Sequence, residues 1–434
     1  MAAEKRPENS LDPRTLIALL DPIALGRWTW ISGRRGWARL WRSPGPQARF
    51  FIGTTFIWSV AIALTDPYKA LFLSKLGLSN LAIGGFFALD MGLRAGGVLL
   101  GGLVAQRFGH KVTLLLFDFT SWTIPTLCLA FATEPWHVYV ATCLSATNAL
   151  VAGSVVQFLV EDTAEEKRTG VFALFTLTFV LPMLFLPACA GWAVGRWGVV
   201  PVMRLLFGGA SMATLWGILW RRVRMKESLA VTPKADLAEL LLDTLNAARH
   251  LLKQVSLWPV LGSFLLVNVI NNLNKAYYAL FITQDLKLGD ATVGWGATLG
   301  SVTFVLSSLF WVPRLKAGRE ALLFFLLSCA TIIPNIGLVP WGSLAGVLSL
   351  AAFGGLMAGV HGPLLSEHIS LLLPRGREGL AYALMTCVMQ IGVALSLALG
   401  GALFETRFGA FPWMMAGLAA LQAGLAWLLM RRSK

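Results

Sequence analysis

Apolar residues along this chain gather in runs of about 20, the length a helix needs to cross the hydrocarbon of a bilayer. The runs do not alternate apolar with polar positions, as the strands of a membrane barrel do, so the pattern predicts helices. Twelve spans are expected, at roughly 50–76, 79–105, 111–132, 136–160, 169–195, 199–220, 257–284, 291–313, 320–339, 342–368, 377–404 and 410–430. The long polar break at 221–256 follows the sixth. Within it, residues 235–253 place leucines at helical spacing with charges on the other face, which predicts an amphipathic helix at the membrane surface. The expected fold is an all-α membrane protein: a six-helix bundle at 50–220, a linker at 221–256, a second six-helix bundle at 257–430 and a tail at 431–434.

Charge sharpens this picture. Only 13% of the 434 residues are charged, half the roughly 25% of a soluble domain. The formal net charge of +14 raises the question of nucleic acid, and the placement of the charges answers it. Of the 36 lysines and arginines, 28 fall in the termini and alternate loops on one side, four on the other side and four within spans. Basic residues stay on the cytoplasmic side of a membrane, so both termini are expected there, and no nucleic-acid partner is needed. The basic, tryptophan-rich segment 1–49, with RWTWISGRRGWARLWRS at its centre, suits the anionic headgroup layer. The five cysteines sit inside apolar runs without metal-ligand spacing and are read as packers, so no metal and no cofactor is expected.

The chain also repeats itself. YKALF (68–72) in the first span matches YYALF (277–281) in the seventh, 209 residues on. RWGVVP (196–201) matches RFGAFP (407–412), 211 residues on. A duplicated six-helix unit follows, with the halves related by pseudo-symmetry. The stretch IALTDPYKALFLSK (62–75) then acquires a meaning. The same offset carries Asp66 onto Lys275, both about 15 Å from the outer end of their spans. A charge at that depth costs several kcal/mol unless paired or wetted. An acid from one half and a base from the other are expected to meet in a water-accessible cavity between the halves. Pro67 removes a backbone donor beside them and permits a bend.

Other polar residues fall at similar depths. Asn268, Asn271, Asn272, Lys275 and Tyr278 share one face of the seventh span, and Asp66 and Lys69 share a face of the first with Thr55 and Ser59. Asp90 and Arg94 stand four apart in the second span. His361 and Gln390 are further candidates in spans ten and eleven. Together with Asp66 and Lys69 these are the expected substrate- and proton-binding residues; no catalytic residue is expected. Asp118, Glu161 and Glu367 are expected at the cytoplasmic gate, with Glu161, Asp162 and Glu367 paired to bases of the nearby loops.

The loop GLVAQRFGHK (102–111) resembles the loop 2–3 signature of the major facilitator superfamily. Gly102, Arg107, Gly109 and Lys111 fit it, and Gln106 stands where the signature has an acid. The resemblance implies close helix packing at Gly102, a tight turn at Gly109, and Arg107 and Lys111 capping or pairing at the cytoplasmic gate, with the usual ion pair at Gln106 either lost or moved to Asp118. It also implies alternating access by two rocking bundles. The expectation is a secondary transporter, not an enzyme, of the bacterial inner membrane. It would be monomeric in the bilayer, move a small organic solute and draw on protons. An uncoupled facilitator and a drug or lipid efflux pump are the alternatives.

Overall fold

The computed structural model describes residues 41, 43–164, 167–227, 258–310, 320–372, 378–406 and 408–432. The segment before residue 41 and the amphipathic helix expected at 235–253 lie outside the described residues. Among the described residues there are twelve long helical spans and no strand. The first six are α1 (Pro46–Lys75), α2 (Asn80–Phe108), α3 (His110–Ala130), α4 (Pro135–Val160), α5 (Arg168–Met183, continued by Leu186–Trp197) and α6 (Val199–Arg224). The second six are α7 (Trp258–Leu280, extended by a π turn at Phe281–Asp285), α8 (Ala291–Phe310), α9 (Glu320–Trp341), α10 (Leu344–Leu372), α11 (Glu378–Thr406) and α12 (Phe411–Arg432). Eight of these are long and apolar enough over their described residues to cross a membrane.

Local chemistry sets the ends. Gly45–Pro46 opens α1, and the Asp162 carboxylate, beyond the end of α4, accepts from the Gln47 and Ala48 amides at 2.7 and 3.3 Å. It neutralises free N–H groups at the positive end of a helix. Asp162 therefore caps a helix instead of pairing with a loop base. Ser79 caps α2 through the Ala82 amide. Pro67 lacks the N–H that the α-helical ladder requires, and α1 tightens into a 3-10 turn over Asp66–Tyr68.

The last turn of α6 departs from expectation. The helix continues to Arg224, and Arg221, expected in the linker, points into the first bundle and is buried.

The two halves meet at the end that carries the α1–α2, α5–α6, α7–α8 and α11–α12 turns. Two tyrosine–glycine clasps related by the repeat lie there, and of the two tyrosine hydrogen bonds only that of Tyr68 crosses between the halves. In one, Tyr68 of α1 is fully buried and its Oη accepts from the Gly294 amide of α8 at 2.7 Å, where α8 crosses α5 at Gly191. In the other, Tyr277 of α7 is fully buried and donates to the Leu397 carbonyl of α11 at 3.0 Å, where α11 crosses α2 at Gly84 and Gly401. Tyr68 and Tyr277 are the tyrosines of YKALF and YYALF, and Gly84 matches Gly294 as Gly191 matches Gly401, 210 residues on. The glycines are needed because the backbones touch: a β-carbon on Gly84 would stand 2.9 Å from the Gly401 Cα, and one on Gly294 would stand 3.0 Å from the Gly191 Cα. Around the clasps, Glu405 accepts from the Leu81 amide at 2.9 Å, and Gln284 donates to Ser74 Oγ at 2.7 Å. Among the described residues, hydrogen bonds between the halves occur only at this end and near mid-depth.

A leucine at Gly294 overpacks the α5–α8 crossing, at a cost of about 1–3 kcal/mol, and is expected to lower the closed fraction about tenfold. Cysteines placed at Ser74 and Gln284 in a cysteine-free background report this through the yield of a short bifunctional thiol reagent. An undiminished yield would show that the clasp does not hold this end.

Candidate functional site

A cavity of about 650 Å³ lies between the halves, lined by residues of α1, α5, α7, α8, α9, α10 and α12. Its walls are largely apolar, with Phe179, Phe304, Met357 and Met415 among them. Asp66 and Lys275 face each other across it as an ion pair, Oδ2 to Nζ 2.5 Å, joining α1 to α7. Their side chains remain 30% and 44% exposed, so the pair keeps part of its hydration. A fully dry pair would bear the whole desolvation cost of both charges. The 3-10 turn at Pro67 places Asp66 here, whereas Thr55 and Ser59 turn into the first bundle and hydrogen-bond their own helix.

The asparagines of α7 divide. Asn271 lines the cavity, and so does Asn274, which the polar stripe did not include. Among the described residues neither amide has a partner. Asn268 and Asn272 instead donate to the Phe264 and Asn268 carbonyls of their own helix and do not line the cavity. The NVINNLNK run spreads asparagines around more than one helix face, and only the observed register separates them. Tyr278 lines the cavity while its hydroxyl donates to the Val347 carbonyl of α10 at 2.7 Å. Asn335 of α9, also unanticipated, lines the cavity with Thr331; its amide donates to the Thr331 carbonyl and its Oδ1 is buried without a partner.

The remaining expected binding residues stand apart from the cavity lining. Lys69, one turn beyond Asp66, holds its Nζ 4.8 Å from the Phe86 ring centroid and 6.0 Å from that of Phe87, with no carboxylate at ion-pair distance among the described residues. An ammonium over a ring face gains from the ring quadrupole. Asp90 and Arg94 pair with each other at 3.0 Å, and Ser145 of α4 donates to Asp90 at 3.0 Å. Gln390 is half-buried on α11 with Oε1 unpartnered, away from the cavity. His361 and Glu367 fall in α10, but their side chains lie outside the described residues.

The gate expectations need several corrections. Asp118 supplies no charge to loop 2–3. Its Oδ2 accepts from Arg221 Nη1 at 2.7 Å inside the first bundle, where Arg221 also donates to Thr54 at 2.8 Å and Thr55 at 2.7 Å and stacks on Trp58. A sequence count sees Arg221 as one loop cation among several; the depth of α6 makes it the partner of Asp118. Gly102 faces open space, and the close approach of α2 to α4 is at Gly97 and Gly101, against Ala149 and Leu150. Gly109 makes a turn, with φ +85°. Arg107 and Lys111 find no carboxylate among the described residues; the Lys111 amide instead donates to Glu227 at 2.9 Å. Glu161 is half-buried at the end of α4. Gln106 has its side chain outside the described residues.

Two six-helix halves around a mid-depth cavity with an ion pair between them define a class, the membrane transporters of the major facilitator fold. The sequence agrees: the family profile described as Major Facilitator Superfamily matches residues 50–281, and the chain belongs to that family. No curated protein matches the sequence. Among solved structures, it is similar to a POT family transporter in complex with 5-aminolevulinic acid, at 11% identity and TM-score 0.67, covering 95% of this chain and 99% of that one. It is also similar to a variant of the nucleoside transporter NupG, at 13% identity and TM-score 0.66, covering 88% and 99%. A third, a D-xylose-proton symporter, matches at 14% identity and TM-score 0.63, covering 96% and 97%. At such identities the likeness is one of fold.

Asp118→Ala is expected to destabilise the protein by about 3–5 kcal/mol, because it strands a buried guanidinium. Thermal melting of the detergent-purified variant measures this. A melting temperature within a degree or two of the wild type would show that Arg221 has another partner.

Proposed function

We propose that this protein is a secondary active transporter that moves a small organic solute by alternating access and draws on the proton gradient. The observation that carries the reading is the Asp66–Lys275 pair, which crosses between the halves inside the cavity that separates them. Protonation of Asp66 releases Lys275, substrate takes the freed amine, and the link between α1 and α7 loosens. Proton and substrate are thereby coupled through one charge balance. Asp90, held by Arg94 and Ser145, is a second candidate proton acceptor.

The rocking units are 50–220, with α6 carrying one further turn, and 257–430, joined by the chain between them; 1–49 and 431–434 flank them. Charge bias puts both termini in the cytoplasm. The clasped end is then the outer one, and the conformation described here is closed outward with its cavity reached from inside. At the inner end Gly109, Arg107, Lys111 and Glu161 belong to the moving gate, whereas Asp118 braces the first bundle. The reading places the protein in a bacterial inner membrane as a monomer, with no enzymatic step and no nucleic-acid partner. The D-xylose-proton symporter among the similar folds supports the proton-driven version. An uncoupled facilitator is the competing reading, favoured by the completeness of the Asp90–Arg94–Ser145 cluster, which needs no proton to satisfy it.

In proteoliposomes, an imposed pH gradient is expected to drive accumulation by the wild type. Asp66→Asn should abolish accumulation while leaving exchange of substrate across the membrane. If Asp66→Asn and Asp90→Asn both retain full gradient-driven uptake, the coupling scheme fails.

A further inference from the structure

We infer that the cavity takes an amphipathic organic anion, a monocarboxylate with an apolar body, carried together with one proton. This rests on the transporter reading above and adds the chemical class of what is carried. The described lining residues include two charges, Asp66 and Lys275, and these cancel. Helix α8 has no charged residue along its length, and α9 and α12 carry theirs only at their ends. His361 and Glu367 of α10 have side chains outside the described residues. A ligand that left a net charge here would leave it unneutralised at mid-membrane depth, so charge balance restricts what can bind.

Three classes meet the pair differently. A cation would bind Asp66 and leave Lys275 facing a second positive charge. A zwitterion would replace each partner with one of its own ends and would need no proton. An anion would bind Lys275 and leave Asp66 facing a second negative charge unless Asp66 took up a proton. The surroundings decide among them. Facing Asp66 are Lys69 on α1, Arg94 on α2 and Lys275 on α7; the nearby acid is Asp90, which already holds Arg94. Among the described residues Lys69 has no carboxylate at ion-pair distance, and it rests over the Phe86 ring. Among these groups it is the one positive charge beyond the pairs, and it lies outside the cavity lining. It repels an incoming ammonium, whether of a cation or of a zwitterion, and favours a carboxylate, while Asp66 still needs a proton once Lys275 turns to the ligand.

The step balances. One proton from water joins the Asp66 carboxylate to make a neutral acid, Lys275 keeps its proton and charge, and the ligand carboxylate replaces that of Asp66 at Nζ. Cavity and cargo gain no net charge. The unpartnered amides of Asn271 and Asn274 and the vacant Asn335 Oδ1 offer hydrogen bonds to polar atoms on the ligand. Phe179, Phe304 and Met415 receive its apolar body.

The test uses three probes with one body: phenylpropionate, phenethylamine and phenylalanine. Their binding to the purified full-length protein is read as thermal stabilisation at about pH 6 and about pH 8. Phenylpropionate is expected to stabilise most, with about a hundredfold tighter apparent binding at the lower pH, because one proton is bound with each ligand across about two pH units. Asp66→Asn should keep that binding and lose its pH dependence, and Lys275→Gln should lose the binding. Stronger stabilisation by phenethylamine or phenylalanine, or none by phenylpropionate, overturns the anion assignment on the wild-type protein alone. Equal phenylpropionate binding at both pH values overturns the proton step. Bound phenylpropionate that fails to cross proteoliposomes overturns the transporter reading and leaves the ligand class standing.

Discussion

A carboxylate and an ammonium held near the middle of a bilayer are stable only while each has the other or water beside it. In this protein they come from different halves, so the pair also ties the halves together at mid-depth. Asp66 sits where Pro67 interrupts the helical ladder of α1, and Lys275 sits on the continuous helix α7. The pair therefore has one partner beside a proline-interrupted turn and one within an unbroken α-helical stretch. Anything that neutralises either charge removes a mid-depth link and leaves the opposite group in need of a new partner. That need is what couples binding to movement in the proposed cycle.

In the proposed cycle the rest of the interface has to release. The clasps at the closed end use tyrosine hydroxyls, backbone groups and glycines, with no buried charge in either. Neutral hydrogen bonds of about 1 kcal/mol each, net, and backbones in direct contact form a seam that separates without stranding an ion. Among the described residues the one fully buried ion pair, Asp118–Arg221, lies inside the first bundle and not between bundles. There it fixes α3, α6 and α1 as a single body, which a rocking mechanism requires of the part that moves.

Much of this was legible in the residues. Hydropathy set the twelve spans to within a few residues, since the lipid-crossing length leaves little freedom. The repeat placed Asp66 opposite Lys275, because a duplicated bundle brings equivalent positions to equal depth. Helical register was less legible. Asn268 and Asn272 turn back onto their own backbone while Asn271 and Asn274 face the cavity, a difference of a fraction of a turn that asparagine runs do not encode. Arg221 was hidden by its neighbours: in RRVRMK one arginine looks like the next, and only packing against Thr54, Thr55 and Trp58 distinguishes it. Gly102 fits a signature, yet the contact lies at Gly97 and Gly101, on a different part of the helix circumference.

The central claim is that the carboxylate at 66 and the amine at 275 act as one unit. A double-mutant cycle of Asp66→Asn and Lys275→Gln, read on thermal stability of the purified protein, measures their coupling directly. The account predicts a coupling energy of about 1 kcal/mol or more, with the double variant more stable than the sum of the single changes allows. Additivity within about 0.3–0.5 kcal/mol would mean that the two groups are neighbours without being partners, and the charge-balance scheme would have no footing.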